Sequence, residues 1–71
     1  MKNIKIKTEF IKLGDLLKLA GAGGTGGQAK LMIQDGLVQV NSETVLQRGK
    51  KIFPKDIIQI GEDISLKVIK E

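Results

Sequence analysis

The chain has 71 residues, with 12 Lys and Arg against 8 Asp and Glu, a net charge of +4 and no Cys or His. Disulfides, thiolate chemistry, the common zinc ligand sets and imidazole acid–base catalysis are therefore excluded, and no metal or cofactor site is expected. A chain this short sits near the lower limit for folding without a metal, a disulfide or a partner. Its pI near 9.6 is the electrostatic footprint expected of a nucleic-acid binder, with a lysine-rich proteome as the bland alternative.

Lys2 to Lys7 alternates polar and apolar residues, which predicts a strand with Ile4 and Ile6 on one face. The same alternation is unlike the apolar core of a signal peptide, and no run approaches the ~20 apolar residues of a membrane span. A cytoplasmic protein without membrane contact is expected. Lys2, Lys5 and Lys7 suit the outer side of an edge strand, where lysine discourages pairing with another sheet. Leu13, Leu16, Leu17 and Ala20 then fall at i, i+3, i+4 and i+7, the stripe of a short amphipathic helix. Asp15 in its first turn and Lys18 in its last match the helix dipole, and Gly21 is a natural stop.

A glycine-rich connector follows. Gly21-Ala22-Gly23-Gly24-Thr25-Gly26 fits G-x-G-x-x-G, but a helix precedes it where a dinucleotide site needs a strand, and no P-loop Gly-Lys-Ser/Thr follows. The glycines serve as a helix–helix turn, or leave bare N–H groups that a backbone phosphate can approach. Thr25 and Gln28 form the T-x-x-Q capping box of a second helix that buries Ala29, Met32 and Ile33 and ends at Gly36. Lys30 and Gln34 face the other way. The remainder reads as short strands around Val38/Val40, Val45, Ile52, Ile57 to Ile60 and Ile64 to Val68. Turns are expected at Asn41 to Glu43, Phe53 to Lys55 and Gly61 to Asp63. The expected fold class is α+β, one domain over residues 1–71. Two short helices pack on a small curled, mostly antiparallel sheet of about five strands, with flanking strands over 2–7 and 64–69.

This order of elements, with Gly36-Leu37-Val38-Gln39-Val40-Asn41, a basic segment and a final Asp56-Ile57-Ile58-Gln59-Ile60 strand, resembles the αL-type RNA-binding domain named after a small-subunit ribosomal protein, the S-four domain. The resemblance spans residues 8–60. It is nearest to the free-standing bacterial YbcJ/YaaA-like group, whose S-G-G-x-A-K pattern corresponds here to Thr25-Gly26-Gly27-Gln28-Ala29-Lys30. Larger members usually carry Ser-Arg where this chain has Thr25-Gly26. The family's V-N-G turn is Val40-Asn41-Ser42, and its G-D is Lys55-Asp56.

The resemblance implies RNA contacts on the exposed side of the helices and the adjoining hairpin, carried by Lys12, Lys18, Thr25, Gln28, Lys30, Arg48, Lys50 and Lys51. The lysines would act as point charges on phosphates, and Arg48, the only arginine, could make a bidentate contact. An ordinary solvated side chain is the competing reading for each lysine. Thr25 and Gln28 would cap first and touch RNA second.

Single-strand binders stack bases on exposed rings, whereas Phe10 and Phe53, the only aromatic residues, are expected to be buried. Structured RNA, ribosomal RNA or a ribosomal particle above all, is thus the expected partner, with a role in ribosome assembly or ribosome-associated control. A monomer without a small-molecule substrate is expected. No acid pair has a spacing that demands catalysis, so an enzyme is not expected. The competing class is a small protein-interaction module. Its sulfur-carrier version would need a terminal Gly-Gly where this chain has Val68-Ile69-Lys70-Glu71.

Overall fold

A computed structural model describes residues 1–22 and 26–71. The elements run β1 (Lys2–Ile6), β2 (Ile11–Lys12), α1 (Leu13–Leu19), α2 (Gly26–Gln34), β3 (Val38–Val40), β4 (Glu43–Thr44), β5 (Lys51–Ile52), β6 (Ile57–Ile60) and β7 (Ile64–Lys70). A five-stranded sheet has the order β1-β7-β6-β3-β4, and β2 pairs with β5 in a separate antiparallel ribbon. Within the sheet only β1 and β7 run parallel, with Ile4 opposite Val68. This is the expected α+β class.

Strand alternation decides which sheet face is covered. Ile4, Ile6, Val38, Val40, Ile58, Ile60, Leu66 and Val68 point inward and are buried. Gln39, Gln59 and Ser65 lie side by side on the other face, where the Ser65 hydroxyl donates to the Gln59 side-chain carbonyl. Leu13, Leu16 and Leu17 of α1 join Ala29 and Ile33 of α2 in the same buried cluster as the inward strand residues. Removing a side chain such as Leu16 from this core by Leu→Ala substitution costs about 2–5 kcal/mol, a large part of what so small a domain can have.

Both helices stop by the same device. Beyond α1 the Ala22 N–H donates to the Leu17 carbonyl (3.0 Å) and the Gly21 N–H to that of Lys18 (3.1 Å). Beyond α2, Leu37 reaches Met32 and Gly36 reaches Ile33, both at 3.1 Å. These are paired Schellman bonds, and they require the left-handed backbone seen at Gly21 (φ 74°) and Gly36 (φ 76°).

The turns fall where expected, though two of them lack glycine. Asn41 (φ 50°) and Ser42 (φ 73°) form the two-residue connection between β3 and β4, with the backbone signs of a type I′ hairpin. Pro54 and Lys55 (φ 81°) link β5 to β6 through an Asp56 N–H to Phe53 carbonyl bond of 3.0 Å. Proline followed by a positive φ matches a type II turn, whose third position favours glycine.

The expected burial of both aromatic residues is not met. Phe53 is 47% exposed and Phe10 is only half-buried, because the residues that point inward from their strands are Ile11 and Ile52.

Candidate nucleic-acid interface

The site begins with how α1 starts. Its N-cap residue, Lys12, has extended backbone and offers no side-chain cap. Instead, the segment after β4 folds back across the helix end. The Leu13 N–H donates to the Lys50 carbonyl and the Gly14 N–H to the Arg48 carbonyl, each at 2.9 Å. Backbone amides that would otherwise be orphaned are thereby satisfied, and the basic segment is fixed against the helix. The two segments lie in contact there, since a Cβ on Gly14 would meet Arg48 Cβ at 3.4 Å.

One consequence is a surface cleft of about 390 Å³ lined by Lys12, Gly14, Asp15, Lys18, Lys30, Arg48 and Gly49. Lys12 comes from β2, Lys18 from the last turn of α1, Lys30 from α2 and Arg48 from the β4–β5 connection. All four are exposed, while Leu13, Leu16 and Leu17 of α1 and Ala29 and Ile33 of α2 are turned into the core. Four cations therefore face one carboxylate, Asp15, which lies in the first turn of α1 at the positive end of the helix dipole. Such a cleft attracts a polyanion, and the attraction acts over about 8 Å at physiological ionic strength.

The other sequence-chosen residues lie elsewhere. Lys50 is exposed beside the cleft and contributes its carbonyl to the α1 cap. Lys51 sits opposite Lys12 in the β2–β5 ribbon, with its Nζ 4.9 Å from the centroid of the Phe10 ring. Gln28 is exposed in the first turn of α2. Thr25, and with it the capping box, lies outside the described residues. Gly14, Asp15 and Gly49 also line the cleft, and nothing in their sequence spacing marks them as site residues.

Among the described residues no cluster of His, Cys, Asp and Glu could hold a metal ion, and no helix is long and apolar enough to cross a membrane.

Basic helix face, hairpin and capping segment, in this chain order, define the αL-type RNA-binding class. The S4 domain pattern matches residues 4–69, and the chain belongs to the S4 domain family. It is also similar to a Bacillus subtilis (strain 168) protein named "Probable ribosome maturation protein RlbA", with 39% identity over 66 residues that make up 93% of each chain.

Proposed function

We propose that this protein binds structured RNA, ribosomal RNA or a ribosomal particle in particular, and acts in ribosome maturation by binding and not by catalysis. The observation that carries this reading is the convergence of Lys12, Lys18, Lys30 and Arg48 from four separate elements on one cleft. Lysine ammoniums there meet phosphates as point charges, while the Arg48 guanidinium can hold two phosphate oxygens at once. The similarity to a relative named as a ribosome maturation protein supports the ribosomal setting. Lys50 and Lys51 flank the cleft and extend its field, and Gln28 adds a polar contact from α2.

The test is co-sedimentation of the tagged protein with ribosomal particles from a lysate at low and high salt, with RNA crosslinking and sequencing. Salt-sensitive association with ribosomal RNA, lost in the Lys30→Glu/Arg48→Glu variant, is the expected result. Association that is insensitive to salt and unchanged in the variant would overturn the reading in favour of a protein-interaction module.

A further inference from the structure

The chain's two aromatic residues are both absent from its aliphatic core and stand together at one place on the surface. In the β2–β5 ribbon Ile11 is opposite Ile52 and Lys12 opposite Lys51. Ile52 is fully buried and Ile11 packs against the core. Successive side chains of a strand point to opposite faces, so Lys12 and Lys51 share the outer one. Carried one position further, the register sets Phe10 opposite Phe53 on that same outer face. The ring geometry agrees, with centroids 5.9 Å apart and planes tilted by 48°.

The outer face of the ribbon is thus a pair of rings beside a pair of lysines, and Lys12 joins it to the basic cleft. Lys51 Nζ lies over the Phe10 ring, Phe10 supports Phe53 from the side, and Phe53 keeps nearly half its surface in water. The carboxylate of Asp56 is turned to other work. One oxygen accepts the Phe53 N–H at 2.9 Å and the other the Asn41 side-chain amide at 3.0 Å.

We infer that this ribbon face is a second RNA subsite, which stacks an unpaired base on Phe53 while Lys51 and Lys12 hold the flanking phosphates. A phenyl face accepts any base, and a cation beside it holds the backbone that delivers the base. The ligand that fits cleft and ribbon together is a helical RNA interrupted by an extruded nucleotide, the helix on the cleft and the loose base on the ring. The subsite rests on the RNA-binding reading of the cleft and narrows it to RNA with unpaired positions.

The probes are a fluorescein-labelled RNA duplex and the same duplex interrupted by one bulged uridine. The wild-type protein is expected to bind the bulged RNA about tenfold more tightly than the plain duplex. Phe53→Leu keeps apolar bulk but removes the aromatic face, and it should abolish that preference while leaving affinity for the plain duplex unchanged. Phe53→Trp places a single indole in a chain that has none, and its emission should be quenched by the bulged RNA and not by the plain duplex. A melting curve checks that each variant is folded, and the indole signal decides the matter if the leucine variant is not. Equal, salt-sensitive binding of the two RNAs without quenching overturns the subsite and leaves the cleft reading standing. Binding of neither RNA at low salt overturns both.

Discussion

Asn41 and Asp56, fifteen positions apart, hold two turns together with a 3.0 Å hydrogen bond from the Asn41 side-chain amide to one Asp56 oxygen. The Asn41 side-chain carbonyl accepts the Ile57 N–H at 3.0 Å, and the Asn41 N–H donates to the Ile57 carbonyl at 2.8 Å. The second Asp56 oxygen accepts the Phe53 N–H. The hairpin after β3 and the turn before β6 are thereby locked to each other at the foot of the aromatic ribbon. Asn41→Ala and Asp56→Ala should each destabilise the fold by about 1–2 kcal/mol, since each leaves donors or acceptors to water. The double variant should lose clearly less than the sum, because both substitutions break the same bond. Urea denaturation of the four proteins measures this. Strict additivity would mean that the two residues act independently.

The two turns also contain a correctable strain. Ser42 and Lys55 occupy left-handed backbone at the positions where the resembled family has glycine. A side chain in that region costs about 1–2 kcal/mol, partly offset by the ~0.5–1 kcal/mol of extra freedom that glycine loses on folding. Ser42→Gly and Lys55→Gly should therefore each stabilise the protein, by about 0.5–1 kcal/mol, and raise its melting temperature by a few degrees. A lowered melting temperature in both would argue against the positive φ angles. Asn41 needs no such relief, since asparagine tolerates this conformation.

Much of this fold is legible in the sequence, and the gaps have physical causes. Leu13, Leu16 and Leu17, or Ile4 and Ile6, announce their element because apolar spacing repeats with the period of a helix or strand. Gly21 and Gly36 announce their stops because few other residues take that backbone readily. The parallel pairing of β1 with β7 leaves no such trace, since the strands come from opposite ends of the chain and no tight turn fixes their direction or register. The same holds for the α1 cap, made by the carbonyls of Arg48 and Lys50 and thus indifferent to side-chain identity. The exposure of Phe10 and Phe53 is hidden because Phe10-Ile11-Lys12 and Lys51-Ile52-Phe53 are too short to display their alternation, and hydrophobicity alone favours burial of the rings.

Asp15 gives a prediction of opposite sign from the lysines. As the sole carboxylate lining the cleft, it repels a phosphate bound there. Asp15→Asn should strengthen RNA binding at low salt by about two- to fivefold, an advantage that shrinks as salt screens the cleft. The same substitution removes a favourable charge from the start of α1 and should cost about 0.3–1 kcal/mol of stability. Binding isotherms and a melt on one preparation separate the two effects. Weaker binding by a folded Asp15→Asn protein would place the RNA away from this cleft.

Salt dependence tells which cations touch phosphate. Each Lys or Arg that neutralises a phosphate adds about 0.7–0.9 to the slope of log K against log salt concentration, and its removal subtracts the same amount. Lys30→Ala and Arg48→Ala should each lower the slope by about one such step and weaken binding several-fold, with no change in melting temperature. Arg48→Lys should keep the slope yet still lose affinity, because an ammonium cannot reproduce the two-pronged hydrogen bonding of a guanidinium. Lys50→Ala makes the comparison sharp. Lys50 does not line the cleft, and its contribution to the α1 cap is a carbonyl that alanine retains. Its slope should therefore change less than that of either cleft variant. Equal changes at Lys30, Arg48 and Lys50 would mean that RNA senses only the overall positive charge, and the cleft would lose its standing as the place where the phosphates sit.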